Sequence, residues 1–559
     1  MQIDTTTPTG QTGKKMKFRI NPIILTDAYK ISHPGQYPDK TEYVYSNTTA
    51  RASRFKEVTK VVVFGLQYFI KKYLMEDFEH NFFNRPRGLV IQELQEFFDE
   101  YFGPGSVDAE KRYGPLHDLG YLPLKIKALP EGTRCPIGVP YNTIINTHPD
   151  FGWLTNAIET LNQNTCWNPL VAATIADQYK KLLNKYADKT VGNRDHVKFQ
   201  AHNFSMRGMS SLESSMTTDA GHLLSFVGSD TLPGNMFLKH YYNADPTEAM
   251  ISCSVPATEH AVMCAGQQQD ERKTIRRIIK DVHPNGIVSV VSDTWDLWKV
   301  LTEIAPSLRE EIESRDGKVV FRPDSGDPVK ILCGYKVVEF PIDKDTLVND
   351  KLHSQSWWFK NMTDQDADCI KTSDGYYVDL DGKVLTENQV KGAVKILDEH
   401  FGSTVNIKGF RELNPKVGLI YGDSITLERC EKICKELTDK GYATSNVVFG
   451  VGSYTYQYNT RDTFYVACKA TWVQIDGVGY NISKNPVTDS GKKRSACGLL
   501  RVDRYVGAHG SVLVLRDQVT PEEEAGGELV TVYEDGKLLV DETLEGIRKR
   551  LACGVDYPV

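Results

Sequence analysis

Four short apolar runs in the second half of the chain end in the same way, and this recurrence constrains the fold more than any other feature. Each run is rich in β-branched residues and is followed directly by small, acidic or glycine residues that stop a strand. The four segments are Ile287–Asp293, Val319–Pro328, Val417–Ser424 and Val447–Ser453. Helical stretches precede and separate them, at 267–280, 294–304 and 425–440. This alternation predicts an α/β fold built on a parallel sheet or barrel.

The residues that follow these runs are candidate site residues, because ligands of parallel α/β folds bind at the carboxyl ends of the strands. They include Asp293, Arg322, Asp324 and Asp423. Arg322 offers a planar fork of donors that suits phosphate, and Asp324 and Asp327 could hold a divalent cation or a sugar hydroxyl. The alternative is a surface turn with an ion pair, since Asp, Ser, Gly and Pro are common turn residues.

Two glycines and a hydroxyl follow the last run, in Gly450–Ser453, and this pattern is typical of a phosphate cradle made of backbone N–H groups. It has neither the full dinucleotide-binding spacing nor the P-loop pattern, so both of those sites are disfavoured. Basic residues lie downstream, either to bind phosphates or as a solvated basic face. They are Arg461, Lys469, Lys484, Lys492, Lys493 and Arg494.

Earlier in the chain, two segments combine an aromatic residue with charges. Phe204 and Arg207 lie in His202–Gly208, and Asp230 follows about twenty residues later. A phenylalanine, an arginine and an aspartate together could hold a flat heteroaromatic ring, with Phe204 stacking and the charges fixing the ring's edge. The alternative is a core phenylalanine and an ordinary ion pair. The segment Thr26–His33 is equally compatible with a helix cap and with a site.

Composition narrows the class of protein. A chain of 559 residues predicts three or four domains, or fewer if one is a barrel. A net charge of −7 gives no footprint for nucleic acid, and no apolar run approaches the roughly 18 residues of a membrane span. The 11 cysteines lack the spacing of a disulfide framework or a zinc site, which favours a cytoplasmic protein. Cys430 and Cys434 share one helical face and are predicted to pack in the core.

Other segments predict accessory structure. Alternating residues in Tyr121–Pro140 predict half-buried strands of a β-rich region, and 151–187 predicts long buried helices. Residues 333–400 break the βα rhythm and are interpreted as an insertion with a hairpin at 376–385. A second hairpin at 530–540 precedes a closing helix, and residues 1–15 are predicted to be a disordered tail.

Taken together, these motifs resemble those of the nicotinate and nicotinamide phosphoribosyltransferase family, in a form closer to its bacterial and phage members than to animal ones. The resemblance runs from Ile23 to Leu551, apart from residues 333–400. The motifs follow the family's order: Thr26–Lys30, Phe204 with Arg207–Gly208, Gly228–Asp230, Ser254–His260, Arg322–Gly326, Gly422–Asp423 and Thr460–Asp462. Asn203 departs from the pattern, since the family has an aspartate there.

The resemblance implies a type II phosphoribosyltransferase fold, an irregular α/β barrel beside a β-rich accessory domain. The barrel is expected at 151–470, with the accessory domain formed by 16–150 and 471–559. It also implies a head-to-tail homodimer with two active sites at the interface.

The activity implied by the resemblance is transfer of phosphoribosyl from phosphoribosyl pyrophosphate to nicotinamide, which gives nicotinamide mononucleotide and pyrophosphate in NAD salvage. The pyridine ring is assigned to Phe204 of one subunit and Tyr29 of the other, with Asp230 accepting from the carboxamide and Arg207 and Arg322 beside the ring. The implied catalytic residues are His260, Asp324, Arg322 and Asp293, and His260 matches a histidine that ATP phosphorylates. The ribose and phosphates are assigned to Asp27, Arg51, Ser289, Asp324, Gly422, Asp423, Gly452, Arg461, Lys469, Lys484 and Lys493. Mg²⁺ and ATP are the expected cofactor and co-substrate, and the ligands of the metal are left open.

The residue chemistry agrees with that assignment. A pyridine nitrogen attacks the anomeric carbon without losing a proton, so catalysis rests on orientation, on cations for the departing pyrophosphate and on carboxylates near the developing positive charge. Asp230 would repel the carboxylate of nicotinate and accept from the amide of nicotinamide. Two alternatives stay open: a nicotinate phosphoribosyltransferase of the same fold, and a non-catalytic protein that binds nucleotides through the inherited pocket.

Overall fold

The computed structural model describes residues 19–349, 367–422, 424–484, 496–507 and 510–553, so the predicted tail at 1–15 lies outside the described residues. The strands are β1 (Thr41–Ala50), β2 (Lys60–Val62), β3 (Leu124–Ala128), β4 (Arg134–Pro136), β5 (Pro140–Asn146), β6 (Ala201–Asn203), β7 (Gly228–Ser229), β8 (Asn285–Val291), β9 (Asp316–Arg322), β10 (Val337–Glu339), β11 (Cys369–Lys371), β12 (Tyr377–Asp379), β13 (Val384–Leu385), β14 (Ser403–Val405), β15 (Arg411–Leu413), β16 (Val417–Tyr421), β17 (Val447–Val451), β18 (Val466–Ile475), β19 (Val478–Asn481), β20 (Leu499–Gly507), β21 (Gly510–Val519), β22 (Val530–Glu534) and β23 (Lys537–Leu538). The α-helical segments are Leu66–Phe69, Arg87–Phe102, Ala109–Leu119, Leu154–Ala157, Glu159–Thr190, Val197–Gln200, Leu212–His222, Leu232–Tyr241, His260–Ala265, Glu271–Arg277, Leu297–Lys299, Ala305–Ser307, Arg309–Glu313, Pro328–Cys333, Lys344–Asn349, Glu387–Lys391, Ala393–Phe401, Leu427–Asp439, Ser453–Tyr456, Pro521–Glu524 and Leu544–Cys553.

Six strands form the parallel sheet that the apolar runs predict, in the order β7-β6-β17-β16-β9-β8. Every neighbouring pair in this sheet is parallel. Val319 and Phe321 of β9 are fully buried, and Leu419 of β16 is almost fully buried. Burying each such side chain contributes about 1.5–3 kcal/mol to folding, which explains why near-continuous apolar runs mark these strands.

A short irregular segment joins the two edge strands and turns the sheet into an incomplete barrel. Cys253 pairs in parallel with Gly228 of β7, and Ala257 pairs in parallel with Ser289 of β8. Pro256 lies between the two bridges and has no N–H for a strand ladder, so this segment cannot form a regular seventh strand. The predicted irregular α/β barrel is confirmed, and Pro256 is the local cause of its irregularity.

A second, seven-stranded sheet lies outside the barrel, in the order β19-β18-β1-β5-β3-β22-β23. Every neighbouring pair in this sheet is antiparallel, and the pairing brings strands from the two ends of the chain together. The hairpin predicted at 530–540 is confirmed as β22 and β23. Since β18 spans Val466–Ile475, it crosses the expected domain limit at residue 470. The domain limits therefore stay a prediction.

The region predicted as an insertion contains a small sheet, β10-β11-β12-β13, and its hairpin is β12 with β13. Leu347, Ile370 and Val378 form a separate small core beneath it. The helix Ala393–Phe401 packs instead into the main barrel core. The part outside that core is therefore narrower than 333–400, because an amphipathic helix at its end returns to the barrel.

Two further expectations can be compared with the described residues. Cys430 and Cys434 are fully buried in the main core, which confirms their predicted packing role. In the described part of the chain, no helix is both long and apolar enough to cross a bilayer.

Candidate functional site

The carboxyl ends of β8, β9 and β16 bring the predicted strand-end residues together. Asp293 follows β8 and is only 7% exposed, and its Oδ2 accepts the backbone N–H of Asp324 at 2.9 Å and the hydroxyl of Ser325 at 2.6 Å. Gly422 follows β16, where an added Cβ would lie 2.2 Å from Asp324 Oδ1 and 3.2 Å from Arg322 Cδ. The position therefore requires glycine if Asp324 is to keep its place. Asp423 lies outside the described residues.

His260 faces these carboxylates from the start of the helix His260–Ala265. Its Nε2 is 3.6 Å from Asp324 Oδ2 and 4.0 Å from Asp293 Oδ1, and its Nδ1 is hydrogen-bonded to the Thr294 hydroxyl at 3.1 Å. The side chain is 46% exposed. The imidazole is therefore oriented by one hydrogen bond, has two carboxylates within 4.0 Å, and is still accessible to a reacting partner.

Arg322, the last residue of β9, lies between the carboxylates and the barrel-closing segment. Its Nη2 donates to the backbone carbonyl of Thr258 at 3.0 Å. Its Nε is buried and has no hydrogen-bond partner among the described residues. A buried guanidinium N–H without a partner is costly and fits a ligand that accepts from it.

Phe204, Arg207 and Asp230 line one open cavity of about 590 Å³, as the ring-binding hypothesis requires. His202 stacks on Phe204 with 4.6 Å between the ring centroids and is hydrogen-bonded through Nε2 to Asp230 Oδ1 at 2.9 Å. The Ser254 hydroxyl donates to the same oxygen. Among the described residues, Oδ2 of Asp230 accepts no hydrogen bond.

The charge of Asp230 follows from these contacts. Burial alone would raise the pKa of its carboxyl, but the hydrogen bonds from His202 and Ser254 and the positive charges of His202 and Arg322 hold that pKa below its ordinary value. Asp230 is therefore an ionised acceptor at neutral pH that lines the cavity, and only one of its two oxygens accepts hydrogen bonds from the described residues.

The turn that carries Arg207 packs on the loop after β17. An added Cβ on Gly208 would lie 2.1 Å from Ser453 Oγ, so only glycine allows this approach. Gly452 lies directly before the short helix Ser453–Tyr456, where the sequence predicted a phosphate cradle. The cradle itself stays a prediction.

A second group of predicted residues surrounds the first turn of the long helix Glu159–Thr190. Asp27 Oδ2 accepts from the Thr160 hydroxyl at 2.6 Å, and Lys469 Nζ lies 4.0 Å from Glu159 Oε1. Arg461 Nη1 donates to Gln163 Oε1 at 3.4 Å. The remaining members are Arg51, whose Nε donates to the Tyr465 carbonyl at 3.3 Å, and Tyr29, whose ring is 62% exposed and contacts His33.

The strand-end residues Phe204, Arg207, Asp230, His260, Asp293, Arg322, Asp324 and Gly422 are called the barrel-edge cluster below. The residues Asp27, Tyr29, Arg51, Arg461 and Lys469 are called the accessory-side cluster. Across the described ranges, no hydrogen bond, ion pair or ring contact joins a side chain of one cluster to a side chain of the other. The side chains of the two clusters therefore make no direct contact of these kinds within the described part of one chain.

The other predicted residues lie in different parts of the chain, outside the two clusters. Ser289 is buried in β8, and its hydroxyl has no hydrogen-bond partner among the described residues. Lys484 is exposed just after β19, and Lys493 lies outside the described residues. Asp327 accepts the Val329 and Lys330 N–H groups as the cap of the helix Pro328–Cys333, so the cation role considered for it is replaced by a structural one.

Sequence reasoning missed three residues that contact the site residues. His202 lies two residues before Phe204 in a strand, and this spacing places both on one face, so it could have been predicted. Ser254 and Thr258 belong to the barrel-closing segment, whose proline hides any strand pattern. The resemblance marked this segment as a motif without saying what its hydroxyl and carbonyl groups contact.

Comparisons with known proteins give a consistent result. The model of the nicotinate phosphoribosyltransferase family matches residues 199–509, and that of the nicotinamide phosphoribosyltransferase N-terminal domain matches residues 21–126. A nicotinamide phosphoribosyltransferase of Acinetobacter baylyi is 45% identical over 548 residues, which cover 96% of this chain and 98% of that protein. Another from Mycoplasma pneumoniae is 32% identical over 497 residues, which cover 86% of this chain and 96% of that protein.

A solved structure bears on the fold alone. The crystal structure of nicotinate-nucleotide pyrophosphorylase from Pyrococcus furiosus matches with a TM-score of 0.50 at 13% identity, over 94% of this chain and 93% of that one. The type II phosphoribosyltransferase fold expected from the sequence is thereby confirmed.

Proposed function

This chain belongs to the nicotinate and nicotinamide phosphoribosyltransferase family and is a pentosyltransferase, and from that premise we propose that it transfers phosphoribosyl from phosphoribosyl pyrophosphate to nicotinamide. The products are nicotinamide mononucleotide, an intermediate of NAD salvage, and pyrophosphate. The observation that carries the choice of nicotinamide is the ionised Asp230, which shares the cavity with Phe204 and keeps Oδ2 free.

Asp230 favours an amide over an acid for an electrostatic reason. The amide N–H₂ of nicotinamide can donate to the free oxygen of Asp230 while its ring stacks on Phe204. Nicotinate has a carboxylate at the same place, and two like charges side by side disfavour binding. A nicotinate phosphoribosyltransferase, the nearest alternative, would need a donor here. A non-catalytic nucleotide-binding protein is disfavoured because the predicted charged residues are present.

The barrel-edge cluster suits a reaction that needs no general base. The pyridine nitrogen has no proton to lose, so orientation and electrostatic stabilisation supply the rate enhancement. Asp293 and Asp324 place negative charge where the ribose develops oxocarbenium character, and Arg322 offers donors to the ribose and ring. The network from Asp293 to the Asp324 N–H fixes these groups before substrate binds.

The donor set also fits Mg²⁺ that is held mainly by the substrate. Asp293 Oδ1 is buried and accepts no hydrogen bond from the described residues, and Asp324 lies beside it. The described residues contain no group of three or more His, Cys, Asp or Glu that could hold a metal without substrate. A pair of neighbouring carboxylates is enough for Mg²⁺, which usually binds one or two carboxylates together with substrate phosphates. Bound in this way, Mg²⁺ would neutralise charge on the departing pyrophosphate.

A second copy of the chain completes the site in this proposal, as a homodimer. Leu212, Leu232, Met236, Tyr454 and Tyr458, each more than half exposed, form the pocket-rim patch. Leu212 lines the cavity with Phe204, and its helix packs on the helix that carries Leu232 and Met236. An exposed apolar patch around a pocket is typical of an interface. The partner would cover the patch and bring its accessory-side cluster, with the exposed Tyr29, to the ring.

Mixing two inactive variants tests this shared site. Asp324→Ala removes a barrel-edge carboxylate, and Arg461→Ala removes an accessory-side cation. Random mixing of unfolded and refolded chains should return about a quarter of wild-type activity, because half of the dimers are mixed and each has one intact site. Mixtures that remain as inactive as the separate variants would reject the shared site.

His260 is proposed as the residue that ATP phosphorylates, which would couple hydrolysis to substrate binding. Its half-exposed imidazole supports the role, because Nδ1 is hydrogen-bonded to the Thr294 hydroxyl and Nε2 makes no hydrogen bond with the described residues, so Nε2 can attack a phosphate. The cytoplasm is the proposed location, supported by the absence of any disulfide among the 11 cysteines, which are all free thiols in the described residues.

One assay tests the central proposal. The purified chain is incubated with phosphoribosyl pyrophosphate and Mg²⁺, with either nicotinamide or nicotinate, in the presence and absence of ATP. We expect nicotinamide mononucleotide as the main product and a higher yield with ATP. No mononucleotide from nicotinamide, or a preference for nicotinate, would overturn the assignment.

A further inference from the structure

We propose that Asp219, a buried aspartate outside the substrate cavity, is the positioning residue that fixes the distance between the two walls of the nicotinamide pocket. The inference rests on the proposed function, since it concerns the same ring-binding pocket. Asp219 lies on the helix Leu212–His222 and is fully buried. It does not line the cavity, so its effect on substrate must pass through other residues.

The carboxyl of Asp219 joins the ends of two barrel strands at one atom. Its Oδ1 accepts from Asn203 Nδ2 at 2.7 Å and from the Ser229 hydroxyl at 2.5 Å. Asn203 is the last residue of β6 and Ser229 is the last residue of β7. Phe204 and Asp230, which form the stacking wall and the acceptor wall of the pocket, are the next residues along the chain.

The same two side chains also fix the turns that carry those walls. Asn203 Oδ1 accepts the backbone N–H of Ser205 at 3.0 Å, and Ser229 Oγ accepts the backbone N–H of Thr231 at 3.0 Å. Each side chain thus donates to Asp219 and caps the turn on its own strand. If Asp219 were lost, both side chains would be free to rotate and both turns would lose their cap.

The second carboxyl oxygen of Asp219 is enclosed by the protein. Asp219 Oδ2 is buried without a hydrogen-bond partner among the described residues, and an added Cβ on Gly234 would lie 2.0 Å from it. Burial raises the pKa of the carboxyl to about 7, against the hydrogen bonds from Ser229 and Asn203, which lower it. A protonated carboxyl keeps both accepted bonds at Oδ1, so the geometry does not require the charge.

Because the hydrogen bonds do not require a charge on Asp219, asparagine is a conservative replacement there. In Asp219→Asn the remaining oxygen can still accept from Asn203 and Ser229, whereas Asp219→Leu fills the space without any acceptor. We expect Asp219→Leu to raise the KM for nicotinamide at least tenfold and to leave the KM for phosphoribosyl pyrophosphate within about twofold. Asp219→Asn should restore the nicotinamide KM to within about threefold of wild type.

Thr218→Val is the matched control. Thr218 is also fully buried on this helix, but its hydroxyl is hydrogen-bonded to Asn168 on the neighbouring helix and not to a strand end. It should lower thermal stability without changing the KM for nicotinamide. Equal rises of both KM values in Asp219→Leu, or no rescue by Asp219→Asn, would mean a merely structural role and overturn the proposal.

A second readout does not depend on activity. Hydrogen exchange at the Ser205 and Thr231 amides should accelerate in Asp219→Leu and stay at the wild-type rate in Thr218→Val. Unchanged protection at both amides would overturn the inference even if the enzyme works as proposed. Accelerated exchange in a chain that makes no mononucleotide would reject the proposed function and leave the structural network intact. If Asp219→Leu does not fold, Ser229→Ala replaces it, with faster exchange at Thr231 expected and an unchanged rate counting against the proposal.

Discussion

Asp230→Asn should change which pyridine the enzyme accepts, and the contacts of Asp230 set the size of the change. Oδ1 accepts from His202 and Ser254, and an asparagine oxygen can keep both bonds. The amide nitrogen then takes the place of Oδ2 at the cavity. The pocket would present a donor where it now presents an anionic acceptor, with almost no change in shape.

Two energies contribute to the change in selectivity. Two carboxylates about 4 Å apart repel by about 4 kcal/mol at an effective dielectric constant of about 20. Because the Asp230 side chain is 46% exposed, solvent screening reduces this to roughly 2 kcal/mol. Nicotinamide also loses a charge-assisted hydrogen bond, at a cost of about 1 kcal/mol relative to a neutral one. The ratio of kcat/KM for nicotinamide over nicotinate should therefore fall by about 100-fold.

The assay is a competition between the two substrates at equal concentration, with both mononucleotides quantified by chromatography. Ser254→Ala is the control, because it removes one hydrogen bond to Oδ1 and keeps the negative charge. We expect that control to change the ratio by less than about fivefold. A ratio within threefold of wild type in folded Asp230→Asn would refute the electrostatic explanation of specificity.

Three further predictions concern the site and its stability. Gly422→Ala should reduce kcat/KM at least 100-fold with a melting temperature within about 2 °C of wild type, because the new Cβ displaces the flexible end of Asp324 rather than backbone; scanning calorimetry and initial rates check this, and normal rates would contradict it. His260→Ala should incorporate no label from γ-labelled ATP and lose the stimulation by ATP while measurable synthesis without ATP persists, and labelling of the variant would reject the role of His260. Since burial raises the pKa of Asp219 to about 7, the folded state binds its proton more tightly than the unfolded chain, and the contribution of Asp219 to stability should decline by roughly 4 kcal/mol as the pH rises from about 4 to 7. The opposite sign applies to His222, whose pKa burial lowers to about 3, so its contribution is lost as the pH falls below about 6.5. The stability of wild type minus that of Asp219→Asn should therefore fall as the pH rises from 5 to 7.5, because His222 contributes equally to both proteins, and a difference that does not change with pH would contradict the assignment.

The sequence was most informative where the chain obeys local rules. The apolar runs before Asp293 and Arg322 form strands of a parallel sheet that is covered on both faces. Such strands need apolar residues at nearly every position, so the sequence alone reveals them. The positions of both residues at one sheet edge follow from the topology. The resemblance added which of these residues are expected to form a site, and the structure brings Phe204 and Asp230 together in one cavity, as that expectation requires.

The remaining features depend on contacts that no local pattern encodes. Pro256 interrupts the segment that closes the barrel, so Ser254 gave no strand signal although its hydroxyl holds Asp230. Asp219 lies on a helix with little amphipathic pattern and touches strand ends only after the fold forms. Asn203 had been noted as a departure from the family's aspartate, but the sequence could not show that a carboxylate from a neighbouring helix contacts it.

The charges of the two clusters support the proposed homodimer independently of the pocket-rim patch. The barrel edge holds three carboxylates, Asp230, Asp293 and Asp324, against two arginines, so it cannot by itself balance a substrate that carries a phosphate and a pyrophosphate. The accessory-side cluster supplies the missing cations, Arg51, Arg461 and Lys469. Arg461 and Lys469 have half-exposed side chains and only long contacts of 3.3–4.0 Å to acceptors, so their charge is available to a ligand. No contact joins the two clusters within the described part of one chain, and in the proposed homodimer the partner's accessory-side cluster would balance the substrate's charge. Dilution below the dimer dissociation constant should therefore raise the KM for phosphoribosyl pyrophosphate before it affects the fold of either chain.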